Sequence, residues 1–175
     1  LGLESAVISA IGRDEYGQKL FDILNERSVS TALITISEHP TGTVTVDTSN
    51  PSEVSYTMDE PSAWDYIGIP LINWELGDML LHGSLATRNN CSYESLKALR
   101  TQATTCVFDL NLRAPFIDSE RILELLVGTE IVKVNEEEYE LLAHWLQLDP
   151  NPEQGFDAMR EHFGTQELIV TRGGQ

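Results

Sequence analysis

The chain has few basic residues. Lys and Arg number 11 against 28 Asp and Glu in 175 residues, which gives a net charge of −17 and a pI near 4.4. Because a surface this acidic repels both phosphate-rich polymers and anionic lipids, we expect neither nucleic acid nor a membrane as a partner. A site for a phosphorylated ligand must then rely on local cations and on backbone amides at helix N-termini.

Cysteines and long apolar runs are also scarce. Cys91 and Cys106 are the only cysteines and lack C-x-x-C spacing, which favours reduced thiols in a cytoplasmic protein. No apolar stretch approaches the ~20 residues of a membrane span, and the first residues lack the charged start of a signal peptide. The four histidines are scattered, without the paired spacing typical of a metal site.

Several nucleotide-binding and hydrolase motifs are absent. The sequence contains no G-x-x-x-x-G-K-[ST], which excludes a P-loop NTPase. No G-x-G-x-x-G follows the first predicted strand, which argues against a dinucleotide-binding Rossmann enzyme. The absence of G-x-S-x-G disfavours an α/β-hydrolase.

Apolar β-rich runs alternate with helical patterns along most of the chain. This alternation predicts an α/β fold with a mostly parallel sheet covered by helices. The length suits one domain with a real core, so residues 1–175 are predicted to form a single domain. Strands are predicted at 6–11, 32–36, 78–82, 105–111, 130–134 and 167–171, and helices at 14–26, 92–102, 119–127, 136–146 and 152–163.

One segment breaks the alternation of strands and helices. Residues 41–48 alternate hydroxyl and valine side chains, Asn50-Pro51-Ser52 predicts a turn, and residues 53–57 alternate again. Period-two alternation is typical of strands with one polar and one apolar face. Residues 41–58 are therefore predicted to form a small antiparallel flap projecting from the main sheet, the alternative being an ordinary edge hairpin.

Three polar residues follow the buried run of the strand predicted at 105–111. Asp109, Asn111 and Arg113 stand at alternate positions, which in an extended backbone places them on one face. Open α/β sheets bind ligands at the carboxyl ends of their strands. The triplet predicts a site for a polyhydroxyl or phosphorylated ligand. The alternative is a polar strand end in which Asp109 and Arg113 pair for structure.

Asn135 and Glu138 stand at the start of the predicted helix 136–146. Asn135 can cap this helix and Glu138 can complete a capping box, which is a sufficient structural explanation. A carboxylate beside an amide also suits Mg²⁺, which prefers oxygen ligands and keeps several waters. The two roles can coexist.

Four short motifs occur in a fixed order along the chain. They are Gly-Arg-Asp-Glu-Tyr-Gly at 12–17, Asp-Leu-Asn-Leu-Arg at 109–113, Asn-Glu-Glu-Glu at 135–138 and Val-Thr-Arg-Gly-Gly at 170–174. This set resembles the PfkB (ribokinase-like) family of carbohydrate kinases, which carries G-x-D-x-x-G, D-x-N-x-R, N-x-x-E and V-T-x-G-x-x-G. Residues 61–67 and 82–86 resemble the fructokinase-type branch. The resemblance implies a ribokinase-like three-layer sandwich with a mostly parallel sheet and a small antiparallel β lid. It also implies an ATP-dependent sugar kinase that uses Mg²⁺.

The resemblance implies roles for individual residues. Arg113 would be the catalytic residue that stabilises charge in the cleft. The sugar substrate would be bound by Asp14, Thr43, Gly83, Asp109 and Asn111. The nucleotide phosphates would be bound by Asn135, Glu138, Thr171 and Gly173, with Glu138 also placing Mg²⁺ through water. The flap at 41–58 would be the lid that covers the sugar and forms the contact of a homodimer.

The resemblance also implies segments outside the chain. The family's glycine-rich sugar-binding segment would lie upstream of Leu1, and its G-A-G-D segment with the general base would lie downstream of Gln175. We therefore expect an incomplete kinase domain without its base. The alternatives are a nucleoside or other small-molecule kinase of the same superfamily, and a non-catalytic sugar- or nucleotide-binding module on the same fold. The D-x-N-x-R motif and residues 83–85 favour a sugar.

Overall fold

The computed structural model describes residues 4–49 and 55–173. They group into a first unit, Leu1–Leu71 with Asn89–Ser95, and a second unit, Ile72–Arg88 with Leu96–Gln175. Both units contain parallel strands and helices, which confirms the α/β class predicted from the alternating pattern. The assignment of residues 1–175 to a single domain stays a prediction. No helix in the described ranges is long and apolar enough to cross a membrane.

The first unit is built around a β-α-β element. Strand β1 (Ser9–Gly12) pairs in parallel with β2 (Ile34–Ser37), and helix α1 (Glu15–Glu26) connects them. Strand β1 is shorter than the predicted run, and its upstream part contributes an isolated bridge between Ala6 and Ser30. A 3-10 turn, Ala63–Tyr66, lies against β1 and β2.

The small antiparallel sheet expected from the sequence is present in the first unit. Strands β3 (Val44–Asp47) and β4 (Ser55–Met58) form the pair that we call the lid hairpin, with Val46 opposite Tyr56. The turn predicted at Asn50-Pro51-Ser52 lies outside the described residues. Val44, Val46 and Tyr56 are 52%, 49% and 62% exposed. The hairpin therefore presents apolar side chains that nothing in the described residues covers.

The second unit contains a four-stranded parallel sheet. Its strands are β5 (Met79–His82), β6 (Thr105–Asp109), β7 (Ile131–Asn135) and β8 (Glu167–Thr171), hydrogen-bonded in sequence order. The helices along this part of the chain are α2 (Asn90–Arg100), α3 (Ser119–Leu126), α4 (Glu136–Leu146) and α5 (Pro152–Phe163). Because crossovers between parallel strands are right-handed, a sheet with sequential order receives its connecting helices on one face.

The core of the second unit follows from that one-sided arrangement. Alternate strand residues are buried, namely Leu80, Cys106, Phe108, Val132 and Val134. Buried helix residues of this unit include Leu99, Leu125, Leu142 and Met159. The intervening strand positions point away, and Met79 and Leu81 are 54% and 67% exposed. Each buried aliphatic side chain contributes on the order of 2 kcal/mol to the stability of the folded protein. The packing on this face therefore holds the four strands of the sheet in place.

His82 is a titratable group within this core. Its ring stacks on Phe108 with 4.7 Å between ring centroids. Burial lowers the pKa of His82 to about 3, and the charge of Arg100 acts in the same direction, against a smaller opposing contribution from the Gly83 backbone. The imidazole is therefore neutral in the folded protein at neutral pH. An unfolded histidine has a pKa near 6.5, so between about 6.5 and 3 only the unfolded state takes up this proton.

Acidification should therefore destabilise the protein through His82. Since the unfolded state binds the extra proton, the free energy of unfolding falls as pH decreases below about 6.5, by about 2 kcal/mol at pH 5 from this group. Urea unfolding at pH 7 and pH 5 measures the loss. His82→Leu should reduce this loss of stability between pH 7 and pH 5 by about 2 kcal/mol. His144→Leu changes an exposed histidine and should lose as much stability as the wild type. Equal pH dependence in all three proteins would show that His82 is not the group responsible.

Candidate active site

In the first unit, the motif at 12–17 is held by bonds to Asp14 and Thr41. The Asp14 carboxylate accepts from the amides of Thr41, at 2.7 Å, and Gly17, at 2.8 Å. The Thr41 hydroxyl accepts from the amide of Gly12 at 2.8 Å. The bonds that Asp14 accepts, foremost that from the Thr41 amide, lower the pKa of its carboxyl below the usual value. Both oxygens of Asp14 thus hold the loop, and its contact with a sugar stays a prediction.

The glycines of this motif are required by close backbone approach. A Cβ on Gly12 would lie 2.5 Å from Asp14 Oδ2 and 2.6 Å from the Thr41 nitrogen. A Cβ on Gly17 would lie 2.4 Å from the Gly12 carbonyl oxygen. Thr41, which is buried, was not predicted as part of this arrangement, because no motif marks it and its partners lie 27 and 29 residues away in sequence.

Thr43 and the fructokinase-like motif at 61–67 also make local structural contacts. Thr43 lies directly before β3, and its hydroxyl donates to the Asp59 carboxylate. Ser62 and Asp65 form a capping box, with the Ser62 amide 2.9 Å from Asp65 Oδ2 and both residues buried. Asp65 is therefore a structural residue, and the sugar contact predicted for Thr43 stays a prediction.

In the second unit, predicted site residues from four neighbouring strands meet at one edge of the sheet. Asp109, Asn135 and Thr171 are the last residues of β6, β7 and β8, and Gly83 follows β5. Asn135 lies opposite Thr171 in the strand register. We call this region the carboxyl edge. It is the part of an open α/β sheet at which ligands bind.

Backbone bonds extend the sheet just beyond the carboxyl edge. The Leu110 amide donates to the Lys133 carbonyl at 3.0 Å, and the Ser84 amide donates to the Leu110 carbonyl at 3.2 Å. The Thr171 hydroxyl donates to the Val134 carbonyl at 3.2 Å. A Cβ on Gly173 would meet nothing within 4 Å among the described atoms, so this position leaves room for a ligand to approach the backbone.

Lys133 joins the predicted residues at this edge. It lies opposite Asp109 in the register of β6 and β7, and its Nζ is 2.9 Å from each oxygen of the Asp109 carboxylate. The structural alternative that paired Asp109 with Arg113 is therefore wrong about the partner. Lys133 precedes Asn135 by two residues, and this period-two spacing could have placed it on the same face.

Asn111 and Arg113 do not continue the strand as predicted. Strand β6 ends at Asp109, and Asn111 has a left-handed backbone with φ of 44°. The period-two argument for one shared face is wrong beyond Asp109, because the chain turns after Leu110, which is buried and bonded to Lys133 of β7 and to Ser84 in the loop after β5. Asn111 and Arg113 are exposed, and Arg113 Nη1 donates to the Leu112 carbonyl at 2.9 Å.

Glu138 connects helix α4 to the loop after β6. Its two carboxylate oxygens accept from the amides of Leu112, at 2.8 Å, and Asn135, at 2.9 Å. The Asn135 side chain accepts from the Glu138 amide at 2.8 Å, so the predicted capping box is present. The bond to Leu112 was not predicted, because it spans 26 residues. At 7% exposure, Glu138 holds the loop that carries Asn111 and Arg113.

The Glu138 carboxylate fits Mg²⁺ through water better than by direct contact. Each oxygen already accepts a backbone bond, and a carboxylate oxygen retains a second lone-pair site for a water. Mg²⁺ keeps several waters and shares its other positions with substrate phosphates. Within residues 4–49 and 55–173, no group of three or more His, Cys, Asp or Glu residues is arranged to hold a metal ion.

Glu138→Gln should destabilise the protein. A glutamine offers one carbonyl oxygen and turns its NH₂ group toward a second amide, so either Leu112 or Asn135 is left with an unsatisfied N–H. Losing one of these part-buried hydrogen bonds to a charged acceptor costs about 1–3 kcal/mol, which thermal or urea unfolding detects. Glu137→Gln is the matched control, since Glu137 is exposed in the same helical turn. Two variants of equal stability would contradict the structural role of Glu138.

The fold and the carboxyl edge define a class, an α/β protein whose parallel sheet brings polar side chains together at the ends of its strands. The family described as pfkB family carbohydrate kinase matches residues 1–175. The chain belongs to this pfkB family of carbohydrate kinases, which confirms the resemblance drawn from the four motifs.

Individual relatives are similar over most of the chain. An uncharacterized sugar kinase of Pyrococcus horikoshii is 28% identical over 151 residues, which cover 79% of this chain and 48% of that protein. Its crystal structure in complex with ATP matches with a TM-score of 0.72, 28% identity and coverage of 83% of this chain and 52% of that chain. Fructokinase from Vibrio cholerae O395 in apo form matches with a TM-score of 0.81 and 26% identity, over 97% of this chain and 61% of that chain. These matches confirm the ribokinase-like fold. The chain spans about half the length of the Pyrococcus horikoshii protein and 61% of the Vibrio cholerae fructokinase.

Proposed function

We propose that this chain is part of an ATP-dependent sugar kinase of fructokinase type, which transfers the γ-phosphoryl group to a sugar hydroxyl with Mg²⁺ bound. The observation that carries the proposal is the carboxyl edge, where Asp109, Lys133, Asn135 and Thr171 come together from three neighbouring strands. The similarity to a sugar kinase crystallised with ATP and to a fructokinase supports it.

On the sugar side, the proposal assigns binding to Asn111 and charge stabilisation to Arg113. Both side chains are exposed on a loop that the Glu138 carboxylate holds through the Leu112 amide. Phosphoryl transfer depends on positioning the reactants and neutralising the charge that develops on them. A guanidinium on a held loop can supply part of that charge, worth a few kcal/mol by analogy with oxyanion donors (about 3).

On the nucleotide side, the proposal assigns phosphate contacts to Asn135, Thr171 and Gly173. The Oδ1 atom of Asn135 is occupied by the Glu138 amide, which leaves the NH₂ group of Asn135 to donate to a phosphate oxygen. When Mg²⁺ is bound, it neutralises phosphate charge and fixes the geometry of the transferred group. Glu138 is the residue proposed to place it through water.

A cytoplasmic location completes this proposal. The two cysteines, Cys91 and Cys106, are free thiols, as is typical of proteins in a reducing compartment. The thiol of Cys106 is buried in the strand core, where desolvation raises its pKa, so it serves packing rather than chemistry.

Sugar-dependent ATP consumption tests the proposed function. The full-length protein should convert ATP and sugar to ADP and sugar phosphate, at a rate that rises with fructose or a related sugar and that requires Mg²⁺. Arg113→Met should lower kcat by about 10²-fold, as loss of a charge-stabilising donor does. Arg160→Met is the control, because Arg160 pairs with Asp157 on the exposed surface of helix α5.

Two outcomes would contradict this assignment. Phosphorylation of nucleosides without turnover of any sugar would replace the sugar kinase with a nucleoside kinase of the same superfamily. Binding of sugar or nucleotide, measured by calorimetry, without phosphorylation of any acceptor would favour the non-catalytic binding module.

We also propose that the lid hairpin covers the sugar and joins two copies of the protein. Closure of a lid excludes water, which otherwise competes as phosphoryl acceptor. The hairpin has only two strands, and such hairpins are marginal without a partner surface. The exposed Val44, Val46 and Tyr56 side chains suit contact with the same hairpin of a second copy, as do its outer strand edges, which pair with no other strand in the described part of the chain.

Weakening the apolar surface of the lid hairpin should dissociate the dimer. Val46→Thr with Tyr56→Ser removes two exposed apolar side chains while keeping the strand pairing. Sedimentation analysis should then give a monomer, or a dimer weakened about tenfold or more. Tyr16→Ser, which removes an aromatic exposed on α1 instead, should leave the dimer intact. A monomeric wild-type protein would contradict the homodimer.

A further inference from the structure

The ion pair of Lys133 and Asp109 indicates that these two residues have different roles at the carboxyl edge. We propose that Lys133 binds a phosphoryl oxygen of the nucleotide, and that Asp109 is a positioning residue that aims the ammonium group. This inference rests on the proposed kinase function. It gives Asp109 a role other than the sugar binding expected from the D-x-N-x-R motif.

The geometry leaves one donor of Lys133 available. An ammonium group has three N–H donors, and the two oxygens of Asp109 lie 2.9 Å from Nζ. Two donors therefore point at the carboxylate, and the third points elsewhere. The Lys133 and Asp109 side chains are 40% and 33% exposed, so a ligand can reach this third donor without breaking the pair.

The pair also restricts a side chain that is otherwise mobile. A lysine side chain has several rotatable bonds, and ordering it on binding a ligand costs conformational entropy. Lys133 is ordered beforehand by strand β7 at one end and by the Asp109 carboxylate at the other. The conformational entropy of the side chain is therefore lost when the protein folds rather than when the ligand binds, which strengthens the contact with a phosphate.

The charges around helix α4 explain why a side-chain cation is needed here. A helix N-terminus ordinarily attracts phosphate. The first turn of α4, however, carries three carboxylates, Glu136, Glu137 and Glu138, and Asn135 and Glu138 cap its amides. These carboxylates oppose an anion at that end of the helix. Arg172 lies beside Glu136 with 3.6 Å between Nε and Oε1, and the Arg113 guanidinium donates to the Leu112 carbonyl.

The two roles of Asp109 differ in which substrate they affect. A sugar ligand at Asp109 would have to compete with Lys133 for both carboxylate oxygens, and its loss would raise the KM for sugar. A positioning role affects the ammonium group instead, so its loss raises the KM for ATP. Steady-state kinetics with each substrate varied separately therefore distinguish the two roles.

Lys133→Met and Asp109→Asn in the full-length protein test the proposal. Lys133→Met should raise the KM for ATP about tenfold or more, the effect of losing a charged hydrogen bond, with the KM for sugar unchanged. Asp109→Asn should raise the same constant about three- to tenfold, the cost of a less ordered side chain. The double variant should be no worse than Lys133→Met, because Asp109 acts through Lys133. Lys133→Arg should recover part of the affinity, and circular dichroism establishes that each variant is folded.

Lys97→Met is the matched control. Lys97 forms a comparable pair with Glu124, at 2.6 Å and with side chains 38% and 52% exposed, but between helices α2 and α3. This variant should keep the KM for ATP of the wild type. Two results would overturn the proposal. One is an Asp109→Asn variant in which only the KM for sugar increases. The other is a folded Lys133→Met or Lys133→Gln variant with an unchanged KM for ATP.

Titration of ADP by calorimetry separates this inference from the kinase assignment. If the wild-type protein phosphorylates no acceptor, the proposed function fails. Weaker ADP binding to Lys133→Met than to wild type would still support the phosphate contact. No ADP binding to wild type, or equal binding to both proteins, would overturn it.

Discussion

The Glu138 carboxylate is the contact on which the arrangement of the carboxyl edge depends. Its two oxygens accept from Asn135, at the end of β7, and from Leu112, in the loop after β6. One side chain thereby fixes the start of helix α4 and the position of the loop with Asn111 and Arg113. The Glu138 residue is 7% exposed and both bonds are part-buried, so loss of the carboxylate would leave amides that are costly to leave unpaired.

The same use of a carboxylate occurs in the first unit. The Asp14 side chain caps helix α1 by accepting from the Gly17 amide, and it also accepts from the amide of Thr41, 27 residues away. In both units a motif carboxylate satisfies one local amide and one distant amide. Acidic residues that motif comparison alone marks as ligand contacts are thus also structural, because an ionised carboxylate is a strong acceptor for several N–H groups.

The scarcity of basic residues gives the remaining cations their importance. With a net charge of −17, the protein has no general field that attracts phosphate, and the acidic first turn of α4 adds local repulsion. Lys133 lies at the sheet edge, fixed by strand register and by Asp109. A local, ordered cation can bind an anion on an acidic protein because charge interactions over a few ångströms are screened little, whereas those beyond a Debye length of ~8–10 Å are weak.

Patterns in the sequence predict the α/β class, the parallel order of strands and helices, the antiparallel hairpin and the cap at Asn135. Helices α4 and α5 and strand β8 have the predicted bounds. These features depend on side-chain periodicity and on contacts over three or four residues, which a local pattern records. Three features follow from long-range contacts in the folded protein instead: β6 ends at Asp109, Asp109 pairs with Lys133 rather than Arg113, and Glu138 and Thr41 bond to distant amides. Those contacts join residues 24–29 positions apart. Their partners are backbone groups or neighbours in strand register, and the amino-acid type of a residue does not predict such a partner.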